Sequence, residues 1–245
     1  MKSRALTIAR HEARLMRTQP WIVVILIIIP GLLLAFFAKG IVGGPARAVP
    51  GIAALFGFFG LSAIGLAFFR DHGWMTWDRL RVSRARPIAV IFGKLTPLAT
   101  MFLAQYLLLF PLSWVAFGLQ IRGSVLGVAL VSVALVSVEL GIGLLLAVVC
   151  TSIAQLNTLV SVGALLLVGG AGALAPIDTF PGWLQAIAPV SPVYWSFKGF
   201  YAAIGEGGSL NDVLVPIAVL FGMAAVCFVL SAVFYKHEQR KTFFA

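Results

Sequence analysis

Six apolar stretches of near-spanning length, joined by short polar connections, limit what this chain can fold into. They cover residues 21–38, 51–69, 95–117, 125–149, 156–174 and 213–235. A helix needs about 20 apolar residues to cross the roughly 30 Å of hydrocarbon in a bilayer. Lipid offers backbone amides no hydrogen-bonding partner, so each stretch must be helical. A water-soluble core cannot absorb such blocks, because only 11% of the residues are charged, against about 25% in an ordinary soluble domain. The expected fold class is all-α integral membrane, with six transmembrane helices in one domain over residues 1–245.

The net charge of +10 also reads as a membrane signal. The cations sit between apolar blocks and not along one surface, which argues against nucleic acid as a partner and for oriented insertion. With the N-terminus inside, the flanks 1–20, 70–94 and 236–245 carry fourteen Lys and Arg. The other side holds four: Lys39, Arg47, Arg122 and Lys198. This bias places both termini in the cytoplasm. The first block reads as an uncleaved span, since its flank is long for a signal peptide and no small-residue cleavage site comes after it. Within residues 1–20, Arg10, Arg14 and Arg17 share one helical stripe beside Leu6, Ala9, Ala13 and Met16. That pattern predicts an interfacial helix on an anionic leaflet, with membrane lipids as its partner.

Chemistry is sparse. His11, His72 and His237 all lie in flanks, and no Ser–His pair or metal-ligand spacing occurs in a span. Gly93-Lys94 lacks the earlier glycine of a phosphate-binding loop. No catalytic residue, metal or cofactor is expected in the chain. Cys150 and Cys227 read as small buried hydrophobes. Glu139, the one acid within a span, has two readings: a residue lining a substrate or proton path, or a structural carboxylate bonded to another helix. Gly141, Gly143, Gly163, Gly169, Gly170 and Gly172 are candidates for close helix contacts. The connection 175–212 places Pro176, Pro181, Pro189 and Pro192 among aromatic residues. It predicts short helices at the interface or dipping into it.

The connection after the second span reads Arg70-Asp71-His72-Gly73-Trp74-Met75-Thr76-Trp77-Asp78-Arg79-Leu80-Arg81, then Arg86-Pro87 and Phe92-Gly93-Lys94-Leu95. It resembles the signature of type-2 ABC exporter membrane subunits, departing at Arg84, where many members carry proline. A second segment resembles that family between spans five and six: Gly172-Ala173-Leu174-Ala175-Pro176, Phe180-Pro181-Gly182-Trp183-Leu184-Gln185-Ala186-Ile187-Ala188-Pro189 and Ser191-Pro192-Val193-Tyr194. The Thr-Trp-Asp-Arg-Leu-Arg form is most similar to the daunorubicin-resistance-type drug exporter branch.

The resemblance implies a permease half in a bacterial plasma membrane, exporting a hydrophobic or amphipathic molecule. It implies a second permease subunit, identical or related, and a cytoplasmic ATPase dimer that holds the ATP and Mg. Residues 70–87 would form the coupling region, with Asp71, His72, Gly73, Trp74, Met75, Thr76, Trp77, Asp78, Arg79 and Leu80 seated on the ATPase. Gly73 can break the second span, and Thr76 can cap a short helix with Asp78 in its first turn. Residues 175–201 would form an extracellular re-entrant gate, with Pro176, Phe180, Pro181, Trp183, Leu184, Pro189, Pro192 and Tyr194. The competing readings are a stand-alone secondary carrier and another polytopic membrane protein.

Overall fold

The computed structural model describes residues 2–18, 21, 24–38, 40–41, 43–77, 86–173, 175–204, 210–235 and 241. It is helical, with no strand among the described residues. The helices are α1 (Lys2–Arg17), α2 (Ile29–Phe37, entered through a π-helical turn, Val24–Ile28), α3 (Pro45–Phe59), α4 (Leu61–Gly73), α5 (Pro87–Phe117), α6 (Val125–Val149), α7 (Ile153–Gly169), α8 (Gly182–Ile187), α9 (Pro192–Ile204) and α10 (Leu210–Phe234). Their starts reflect local chemistry. Proline opens α3, α5 and α9, where its missing N–H costs nothing and its φ is already helical. Ser124 and Ser152 accept the N–H groups of Gly127 and Gln155 as N-caps of α6 and α7.

Four helical rods are long and apolar enough to cross a membrane: α3–α4 as one unit (Pro45–Gly73), α5, α6 and α10. The apolar helices Val24–Phe37 and Ile153–Gly169 are shorter; at 1.5 Å per residue the latter reaches about 26 Å. The expected boundaries of the second and third spans move most. The second span, expected over 51–69, is a rod that begins at Pro45 and ends at Gly73. The third, expected at 95–117, begins at Pro87. Lys94 therefore sits in the second turn of a helix and is 1% exposed. It is not part of a polar connection, because two carboxylates neutralise it there.

The chain alternates between two ends. The elbow end gathers α1, the end of α4, the start of α5, the α6–α7 turn and Lys241. The far end gathers the start of α3, the α5–α6 turn and the segment from Pro176 through α9. Backbone bonds tie that turn to α9: Arg122 N–H donates to Ile204 O and Ser124 N–H to Ala203 O. At the centre lies α6, apolar on every side and packed by α3, α4, α5, α9 and α10. A helix without a polar face is one surrounded by other helices or lipid. By contrast α10 turns Val226, Val229, Val233 and Phe234 outward, an apolar surface suited to lipid.

Candidate functional site

The end of α4 and the start of α5 make an elbow around a buried cluster of four charges. Glu12, from α1, and Arg70 are each 4% exposed, Lys94 is 1% and Asp71 9% exposed. Arg70 Nη2 donates to Glu12 Oε2 at 2.5 Å, and Lys94 Nζ donates to Glu12 Oε1 at 2.9 Å. Lys94 Nζ also donates to Ala67 O at 2.6 Å. It lies 2.7 Å from Asp71 Oδ2 as an ion pair. Two acids and two cations thus balance. Removing one member would strand a buried charge, which costs about 3–5 kcal/mol.

The turn after α4 is fastened by side chains. Helix α4 runs through Gly73, and the chain reverses at Trp74 and Met75, the latter at φ 56°. Thr76, expected to cap a short helix, stands directly before Trp77, which is helical, and the rest of that expected helix lies outside the described residues. The Thr76 hydroxyl donates to Asp71 O and Asp71 Oδ1, closing the carbonyl end of α4. Helix α4 ends at Gly73, the residue at which the sequence allows the second span to break. The Arg70 guanidinium lies over the Trp74 ring, and His72 stacks on Trp77. Trp74 is 52% and Met75 76% exposed, so a large apolar tip projects from a rigid base. Asp78, Arg79 and Leu80 lie outside the described residues.

Lys241 docks at the same end. Its ammonium donates to Val148 O and Cys150 O at the carbonyl end of α6 and lies over the Phe69 ring. Cations are favoured at a helix C-terminus. Burial nonetheless lowers this lysine to about 8, with the neighbouring Cys150 opposing the shift.

Glu139 lies midway between the ends and is 0% exposed. The Tyr106 hydroxyl donates to its Oε1 at 2.7 Å, while Oε2 has no hydrogen-bond partner among the described residues. Gly57 on α3 makes room for it: a Cβ there would stand 2.2 Å from Oε1 and 2.8 Å from the tyrosine oxygen. One turn along α3, Ala53 O accepts from Gln105 Nε2. The acid therefore sits where α3, α5 and α6 meet. Tyr106 also lines an apolar groove of about 410 Å³ between α5 and α6, with Phe110, Trp114, Val128 and Ser132 among others. Tyr106 separates it from the carboxylate. Of the glycines picked out as helix contacts, Gly141 faces Cys227 and Gly143 faces Ile64, whereas Gly163 and Gly169 face open space.

At the far end, Pro176 precedes a 3-10 turn (Ile177–Thr179), and Phe180 and Pro181 lead into α8. Trp183 is exposed and Leu184 half-buried. Pro189 O accepts from Trp195 Nε1 at 2.8 Å, and Tyr194 meets the Trp195 ring edge to face. Pro192 is buried at the head of α9, below Ser191, whose hydroxyl donates to Leu167 O of α7. Arg47 reaches across from α3 to donate to Gly172 O and covers the Phe197 ring.

The structure thus keeps the two sets of sequence-picked residues at opposite ends, with Glu139 between them. Sequence reading missed Glu12, Tyr106 and the role of Lys94. A signal existed for each: a lone acid in a basic helix, a phenol one position after Gln105 within a span, and a lysine preceded by an apolar run that begins directly after Pro87. Among known families, a model described as ABC-2 type transporter matches residues 4–204. The search of curated proteins returned no match.

Proposed function

The chain belongs to the ABC-2 type transporter family, and from that premise we propose that it is the membrane subunit of an ATP-driven exporter, powered by a separate ATPase that grips the α4–α5 elbow. The elbow's construction carries this reading. An exposed Trp74–Met75 tip stands on a buried, charge-balanced base. Aromatic and methionine side chains on a rigid mount are what partner pockets take hold of. A push on that tip reaches α4 and α5 without being lost in a loose loop.

The same reading has six spans, the two short apolar helices included, and both termini on the cytoplasmic side of a bacterial plasma membrane. The excess of cations at the elbow end supports this orientation. The family's dimeric organisation supports pairing with a second permease subunit. A hydrophobic or amphipathic substrate fits the predominantly apolar described spans, and the Thr76–Arg81 sequence supports the drug-exporter branch. The far-end segment with Trp183, Pro189 and Tyr194 would close the exit. Glu139 would act as a structural acid rather than a substrate contact, since Tyr106 and Gly57 enclose it.

Co-purification from native membrane is the test. The chain should bring down an ATPase subunit carrying a phosphate-binding loop. Replacing Trp74 and Met75 together with Ala should weaken that association by at least about tenfold while membrane insertion is unchanged. Transport by the purified chain in liposomes without ATPase or nucleotide would refute the reading.

A further inference from the structure

A cluster of four buried charges is a poor source of stability, because desolvation offsets most of the mutual attraction. Its use lies in specifying one arrangement of the segments that supply it. Here those segments are far apart in sequence: Glu12 pairs with Arg70 and Lys94, 58 and 82 positions away.

A second feature, which involves no charge, joins the same parts. Gly93 lies against α1 so closely that an added Cβ would stand 2.8 Å from Ile8 Cβ and 3.0 Å from Ala5 O. Met16 packs on the main core. One face of α1, through Ala5, Ile8, Glu12 and Met16, is therefore turned to protein. Arg10, Arg14 and Arg17 remain exposed on the other. A helix held only by lipid headgroups would need neither the buried acid nor the close glycine contact.

We propose that Glu12 is a positioning residue that fixes α1 to the elbow through Arg70, Lys94 and Asp71, so that α1, the end of α4 and the first turns of α5 move as one body when the elbow is displaced. The displacement rests on the ATPase-docking reading; the rigid union does not. Glu12 touches no substrate and acts through Arg70 and Lys94.

The test uses the full chain in lipid nanodiscs, with Cys150 and Cys227 replaced by Ala and spin labels attached at Arg10→Cys and Phe92→Cys, both exposed positions. Pulsed electron resonance should give one narrow distance between α1 and α5. Glu12→Gln should widen that distribution about twofold, as expected of a locally released segment. Glu12→Asp, which keeps a carboxylate for Arg70 and Lys94, should leave it narrower than Glu12→Gln does. Gly93→Ala, which removes no charge, should widen it by geometry alone and serves as the readout if Glu12→Gln fails to fold. An unchanged width in Glu12→Gln or Gly93→Ala, or a Glu12→Asp distribution as wide as that of Glu12→Gln, overturns the union. In complex with the ATPase, the distance should stay the same between nucleotide-free and vanadate-trapped states, and a shift there overturns movement as one body. Failure to capture any ATPase would sink the permease reading and leave the nanodisc result standing.

Discussion

Both ends of the bundle must hold a chain reversal in place, and they do so with different materials. The elbow end uses charge: Glu12, Arg70, Asp71 and Lys94 pair with one another in the interior. The far end uses backbone acceptors and rings. Ser191 and Arg47 donate to the carbonyls of Leu167 and Gly172, and Trp195 donates to that of Pro189. Charge pairs are long in reach and intolerant of a missing partner. A hydrogen bond to a carbonyl near the surface can be replaced by water. The elbow end is thus built to keep one geometry. The far end can let its short helices shift at modest cost, which suits a device driven at one end and opened at the other.

Lys94→Ala should break this contrast most strongly. It leaves Glu12 and Asp71 sharing one buried cation, at a cost of about 3–5 kcal/mol, visible as a large drop in the thermal midpoint of the detergent-solubilised chain. Gly57→Ala comes next, because the new methyl collides with Glu139 and Tyr106 at the junction between the two ends. Overpacking of this kind costs about 1–3 kcal/mol. Gly163→Ala, facing open space, should be neutral or stabilising by up to about 1 kcal/mol. Tyr106→Phe removes the one hydrogen bond that Glu139 accepts and should cost about 1–2 kcal/mol in the same assay. At the far end Trp195→Phe should cost only about 1 kcal/mol. A larger loss than that of Lys94→Ala would reverse the comparison.

Lys241→Ala is the mildest of the destabilising changes, about 0.3–1 kcal/mol for a cation at a helix C-terminus. Lys241 also carries a pH dependence. Its folded value, lowered to about 8, lies below the ordinary lysine value of about 10.4. Docked Lys241 thus binds fewer protons than the released side chain between those values, and its docking should tighten as pH rises through that window. Protection of the tail from added protease should increase from pH 7 to pH 9.5. Constant protection across that range would remove the lysine from the docking.

Much of the architecture was legible from the chain alone. Apolar runs near 20 residues admit only helices in lipid, and helix is the one regular structure of any length among the described residues. The family signature around Arg70–Leu95 and the Pro-rich far segment pointed to the ABC-2 type transporter fold, which the match over residues 4–204 bears out at family level. Boundaries were harder to place. Reading Lys94 as loop comes from treating every cation as solvated. Its burial depends on Glu12, 82 positions away in a different helix.

What the sequence determined by itself was the solvent. Composition and block length oblige this chain to live in a bilayer as helices, because no other arrangement satisfies its backbone there. Which polar groups meet was decided only by the tertiary structure. Glu12 with Lys94, Tyr106 with Glu139 and Arg47 with Gly172 are encounters between residues distant along the chain. The physical reason is that a local pattern fixes which face of a helix is apolar, whereas the partner of a buried charge is fixed by how several helices pack at once.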